Sequence, residues 1–195
     1  MKNIFFLVFS FFFISCNTWN EDNEQTQFLN ELIIDETSNN LISLPIIKIN
    51  TYSKEIVDEP KINGYLEIFQ EDELIEEHNI GIEIRGSSSQ FFPKKSYGFE
   101  TWDESGEDLD VSLAGYPEEE DWILYGPFSD KSLIRNVIIY RLSNLIGRYA
   151  TKTKFYNLEI NEEFLGVYVL MEKIKRDKNR VDISKNTTDD ISGGY

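Results

Sequence analysis

A short basic window stands in an otherwise acidic chain. From Ile84 to Phe99 the sequence reads IRGSSSQFFPKKSYGF, with Arg85, Lys94 and Lys95 and no carboxylate. Gly86 and the run Ser87, Ser88, Ser89 allow backbone N–H groups to surround an anion, and the hydroxyls add donors. A guanidinium such as that of Arg85 binds a phosphate through two parallel hydrogen bonds. Lys94 and Lys95 follow Pro93 and precede a new apolar alternation. Strand, donor-rich loop, strand is an arrangement that can cover nucleotide phosphates. The window contains neither G-x-G-x-x-G nor G-x-x-x-x-G-K-[ST]. On composition alone, a soluble hairpin tip is the commoner reading.

Other chemistries find less support. His78 is the single histidine and Cys16 the single cysteine, so a zinc ligand set and an intrachain disulfide are both excluded. A lone His in EEHN, before a strand, supports no Ser/His/Asp arrangement. The acid runs 71–77 and 118–121 lack the glycine-bearing spacing of a calcium loop and read as solvated acidic faces. Trp102 and Trp122 read as core and rim rather than as a carbohydrate platform.

These residues need elements to hold them. The chain has 195 residues, 41% hydrophobic, with 14 Phe and 10 Tyr, which suits one domain with a real core. Period-two alternation predicts strands at 44–50, 64–70, 79–85, 96–102 and 120–127. The spacing then changes: apolar pairs at 133/134, 137/138 and 145/146 predict a helix over 131–147. Asp130 or Ser129 can cap its start, and Gly147 suits its end. After it, Leu158 and Ile160, a turn at Asn161-Glu162, and an apolar run from Val167 to Met171 predict a hairpin. One helix against a sheet is an α+β arrangement. The formal charge of −16 disfavours nucleic acid as a partner. Its distribution is uneven: residues 100–121 hold ten acids and no base, whereas 131–158 hold six bases and no acid.

The N-terminus reads as an export signal. Lys2 is followed by an apolar run from Ile4 to Ile14, too short to span a bilayer. The run ends FISC, which resembles a bacterial lipobox with Phe13 where Leu is usual. Residues 1–15 are expected to be a lipoprotein signal peptide, 16–40 an acidic tether from a lipid-modified Cys16, and 41–195 the domain. The expected location is a bacterial membrane or cell surface, reached through lipid.

Three stretches, IEIRGSSSQFFPKKSYGFE, DWILYGPFSDKSLIRN and LEINEEFLGVYVLMEKIKRDKNRVDI, resemble successive blocks of the spore-coat CotH kinase-like family, over roughly Leu44 to Tyr195. The family resembles atypical protein kinases that phosphorylate Ser on coat proteins. The resemblance implies a kinase-like small lobe, an antiparallel sheet with one main helix, with the second lobe absent from this chain. It implies ATP with Mg²⁺ or Mn²⁺ as cofactors. Ser87–Ser89 would cover phosphates, and Lys94 or Lys95 would pair with one. Glu172 and Lys173 would lie near the adenine, and Asp130, Arg135 and Asn136 form a family block beside the helix. That helix carries no acid, so the Lys–Glu pair of ordinary kinases has no counterpart. No catalytic or metal-binding Asp is identifiable, and Asp182, Asp189 and Asp190 carry no distinguishing context. The chain is therefore expected to be a fragment or a degenerate member. A non-catalytic surface lipoprotein that uses this fold for binding is the alternative. The apolar edge for any docking second lobe is expected around Val167–Met171.

The lipobox reading is tested by Cys16→Ala, which is expected to release the protein from the membrane fraction and abolish its partitioning into detergent.

Overall fold

Alternation along seven segments decides the architecture, because every second residue turns to one face of a strand. The computed structural model describes residues 43–185. Cys16, segments 1–15 and 16–40, and Asp189 and Asp190 lie outside the described residues. The strands are β1 (Ile46–Asn50), β2 (Ile62–Gln70), β3 (Glu73–Arg85), β4 (Ser96–Trp102), β5 (Asp121–Tyr125), β6 (Thr153–Ile160) and β7 (Glu163–Glu172). One α-helix, α1 (Arg135–Leu145), lies between β5 and β6. None of the described helices is long and apolar enough to cross a membrane.

The open antiparallel sheet of a kinase-like small lobe is not what forms. The strands close into a barrel in the order β1-β2-β3-β4-β5-β7-β6. Six of its seven pairings are antiparallel. The seventh joins β1 to β6 in parallel, from Ile46 opposite Asn157 to Ile49 opposite Ile160. That seam links residues about 110 apart in sequence, so local alternation carries no sign of it. Its end is fastened by one side chain. Asn161 accepts from the Thr51 N–H at 2.9 Å and donates to the Thr51 hydroxyl at 2.8 Å. Its own N–H bonds to the Ile49 carbonyl at 2.9 Å. Asn161 and Glu162 both sit at positive φ, the two-residue turn whose twist suits a hairpin.

The inward faces fill the barrel. Ile47 and Ile49, Leu66 and Ile68, Ile80 and Ile82, Phe99, Trp122 and Leu124, Leu158 and Leu170 are all buried and form one cluster. A second, smaller layer lies outside the wall. There, Val137 of α1, with Tyr140, packs on Ile123, Val169, Met171 and Phe155. Val169, Leu170 and Met171 are buried, so the expected apolar docking edge at Val167–Met171 does not exist. Tyr168 and Leu170 point into the barrel, and Val169 and Met171 pack with Val137 of α1.

Two local boundaries differ from the periodicity. β3 begins at Glu73, inside the acid run read as a solvated face and ahead of the strand predicted over 79–85. The helix begins at Arg135 rather than 131, because Asp130–Ile134 form an irregular turn with Leu133 at φ +64°. On the outer wall Trp102 lies across Gly81. A Cβ at Gly81 would come within 1.9 Å of the Trp102 ring. Gly81→Ala is expected to lower the urea-unfolding free energy by about 1–3 kcal/mol through this overpacking. The same change in a Trp102→Ala background should cost little. An equal cost in both backgrounds would show that the ring is not the cause.

Candidate functional site

The registers place the predicted residues at two opposite ends of the barrel. Arg85 pairs with Ser96 and Tyr97 with Leu124, so the β3–β4 loop and the segment after β5 share one end. Trp122 pairs with Glu172, and Asn79 with Trp102, at the other end. Glu172 and Lys173 therefore do not join Arg85, Gly86, Ser87, Ser88, Ser89, Lys94 and Lys95.

The loop end is built by local donors and by two clamped rings. Gly86 takes φ +115°, which favours glycine, and a short 3-10 turn follows at Ser88–Phe91. Gln90 donates to the Gly86 carbonyl and to Asp58, each at 2.7 Å. The Lys95 ammonium donates to the Gln90 carbonyl. Phe92 stacks on Phe128 at 5.1 Å, and the Gly126 N–H donates to the Ser96 hydroxyl at 3.0 Å. These contacts bind the loop to the segment that leads into α1. A Cβ at Gly126 would lie 2.5 Å from the Lys95 carbonyl, so the two segments touch through backbone.

Lys94 turns back over the barrel. Its ammonium sits 4.3 Å above the Tyr168 ring and donates to the Leu165 carbonyl at 3.0 Å. Burial holds it below the usual lysine range. Burial also raises the Tyr168 phenol, with Tyr97 adding to the effect. Arg85, Lys94 and Lys95 make no ion pair among the described residues. The acids flanking the window, Glu83 and Glu100, are held by Lys61 at 3.6 and 2.8 Å. The hydroxyls of Ser87 and Ser88 are exposed, and Ser87 makes no side-chain cap of the 3-10 turn.

Asp130, Arg135 and Asn136 lie just beyond. The buried Asp130 carboxylate accepts from the Ser132 hydroxyl at 2.6 Å, the Ser132 N–H at 3.0 Å and the Arg135 N–H at 2.9 Å. Those bonds, the Ser132 hydroxyl foremost, hold it below the usual carboxylate range. Arg135 Nε approaches it at 3.4 Å. Asp130 is thus the anchor of the helix start, and Asn136 is half-buried on the first turn.

The opposite end is a closed ionic plug. Glu172 and Arg180 are both buried and meet at 3.0 Å, and the Lys152 N–H donates to the second Glu172 oxygen at 2.9 Å. The Arg180 guanidinium lies 5.0 Å from the Trp122 ring, which stacks on Tyr116. Lys173 pairs with Asp121 at 2.6 Å. Lys175 binds Glu119, Glu120 at 2.6 Å and Asp121 at 2.8 Å. Glu120 is pulled down to about 2 although burial opposes this, through hydrogen bonds from Lys175 and Asp110. Asp110, Glu119 and Glu120 come within 4.8 Å of one another, but the Lys175 ammonium bonds to two of the three and takes a cation's place. The run 118–121 is therefore no solvated face. The periodicity passed over Lys175 and Tyr168 because their partners are distant in sequence, and over Arg180 because it lies beyond the last apolar strand. Four bases within IKRDKNR, just after an apolar strand, were the available signal.

The family described as "CotH kinase protein" matches residues 82–193, more than half of the chain. This chain belongs to the CotH kinase protein family. No curated protein matches it. The CotH match begins at Ile82 in β3, immediately before the donor-rich loop, and runs through the Asp130 anchor and the Glu172–Arg180 plug. The first three barrel strands thus fall mostly before the matched span.

Glu172→Gln is expected to destabilise the CotH fold by about 3–5 kcal/mol, because it strands the Arg180 charge inside the protein. Lys173→Ala removes an exposed partner and should cost less than about 1 kcal/mol. Urea unfolding of both variants checks the contrast.

Proposed function

We propose that this CotH family member binds ATP through the β3–β4 loop and transfers phosphate to Ser of surface or coat proteins, from a lipid-anchored position outside the cytoplasm. The observation that carries the reading is one group of donors. Arg85, Lys94 and Lys95 and the Ser87–Ser89 loop form a cationic patch on a chain of charge −16, and none of the three cations is ion-paired among the described residues. Phosphate oxygens are the ligands that such donors suit. Membership of the CotH kinase protein family supports phosphoryl transfer as the reaction class.

Within this reading the residues divide by availability. Arg85 and the exposed serines face solvent and meet the phosphates first. Lys94, partly desolvated and bonded to one carbonyl, keeps donors free to close on a phosphate from the barrel side. Lys95 holds the loop shape through Gln90. Asp130 positions the first turn of α1, which carries Arg135 and Asn136 beside the loop. Glu172 and Lys173 are engaged by Arg180 and Asp121 and take no part. Mg²⁺ or Mn²⁺, when bound with the nucleotide, would neutralise charge developing on the phosphates. Asp58 and Asp130, the acids tied to this end, are committed to Gln90 and to the helix start.

That commitment favours one second reading, a surface lipoprotein that binds anionic ligands without catalysis. Cradling phosphates stabilises a ground state, which alone does not accelerate transfer.

Arg85→Ala in the full chain is expected to weaken ATP binding by about 10- to 100-fold, or roughly 1.5–3 kcal/mol for one charge-assisted contact. Titration calorimetry with and without Mg²⁺ measures it. Unchanged affinity in a folded variant would make the loop a hairpin tip only. Binding without phosphate incorporation into a Ser-rich acceptor would select the second reading.

A further inference from the structure

The basic loop touches a second segment that brings a cation of its own. Between β5 and α1 the chain reads GPFSDKSLIRN, residues 126–136, with Lys131 and Arg135 against the single acid Asp130. Backbone contact joins this segment to the loop. A Cβ at Gly126 would lie 2.5 Å from the Lys95 carbonyl and 3.1 Å from Lys94 Cγ. Two residues on, Phe128 stacks on Phe92, which stands two residues before Lys94. The Lys131 ammonium lies 5.3 Å from the centre of that same Phe128 ring. A ring face attracts an ammonium, and three N–H donors leave it able to meet other acceptors as well.

The neighbouring acid does not claim Lys131. The buried Asp130 carboxylate accepts from Ser132 and from the Arg135 N–H, and the ion pair it makes is with Arg135. Lys131 is exposed and has no carboxylate partner among the described residues. Of the two cations on this segment, Arg135 is thus partly neutralised and Lys131 is not.

We propose that Lys131 is a further phosphate-binding residue of the loop end, and that the ligand bound there is a polyphosphate chain running from the Arg85–Lys95 loop to Lys131. The proposal rests on the reading of the loop as a phosphate site and narrows the ligand it takes. Cations stand on two separate segments, and the stacked Phe92–Phe128 pair links them. The donors of Arg85 can satisfy one phosphate by themselves. A chain of phosphates carries oxygens along its length and can engage both segments at once. Lys suits the second contact, because its ammonium is a compact point charge on a flexible stem and imposes no plane on the ligand. Its rest on Phe128 restricts the side chain before the ligand arrives, which lessens the ordering cost of binding.

Titration calorimetry on the full chain tests this with ATP, inorganic tripolyphosphate and orthophosphate. The unaltered protein is expected to bind tripolyphosphate at least tenfold more tightly than orthophosphate. Lys131→Ala should weaken ATP and tripolyphosphate about tenfold each, and Lys131→Arg should recover most of the loss. Lys178→Ala removes an exposed charge from the segment after β7 and should change neither affinity. Unchanged ATP and tripolyphosphate affinity in a folded Lys131→Ala variant overturns the proposal and leaves the Arg85 loop as the whole site. An equal loss in Lys178→Ala overturns it too, since net charge alone would then be at work. So does orthophosphate binding as tight as that of tripolyphosphate, or binding of ATP without binding of tripolyphosphate. Tripolyphosphate binding without ATP binding would instead sink the nucleotide reading and keep the polyphosphate site. Binding of neither by the unaltered protein would overturn both.

Discussion

The parallel seam between β1 and β6 is the constraint on which the rest depends. Six antiparallel pairings make a curled ribbon with two free edges. The seventh removes both, and with them the hazard that unpaired N–H and C=O groups recruit another chain. Closure also encloses the core, since the inward residues of each strand are covered only when the ribbon meets itself. The seam is short, and the side chain of Asn161 secures it to Thr51. Because its partners are far apart in sequence, closure must await nearly the whole described chain, and loop-closure entropy opposes it until then.

Charge is distributed to match. The acid-rich segment 100–121 folds over the end where Arg180, Lys173 and Lys175 supply cations, and there nearly every acid of the plug is answered. The loop end keeps its cations without such answers. The two ends are separated by six residues of β3, from Asn79 to Arg85, or about 20 Å at a strand's rise. That exceeds two screening lengths at physiological salt, so the acidic end does little to mask the basic one.

Much of the local structure was legible. Alternation located β1, β2, β4 and β5 to within about two residues, and the change of period located α1. The Asn161-Glu162 turn was also plain. What escaped notice was non-local. Nothing in LPIIKIN or KFYNLEI says that those two strands run side by side in parallel. Leu74 and Ile75 are adjacent and both exposed, so the first half of β3 gives no alternation to read. At the site, composition singled out the loop from Arg85 to Lys95, but position alone separates the roles of its two lysines, one over a ring and one inside the loop. Glu172 and Lys173 look like an ordinary strand end. Only Arg180, eight residues later, turns Glu172 into a buried structural group.

Each end of the barrel is stoppered by a cation lying on an aromatic ring. Lys94 lies over Tyr168 at one end, and Arg180 lies over Trp122 at the other. Between them the interior is filled by side chains from every strand. Such a barrel is a post, not a vessel. Small ligands have no way through its axis, and its strands can hold their spacing whatever is bound outside. Change in function can then come from the rim and the outer wall, where loops and one helix can vary in sequence without disturbing the stack of residues that keeps the wall round.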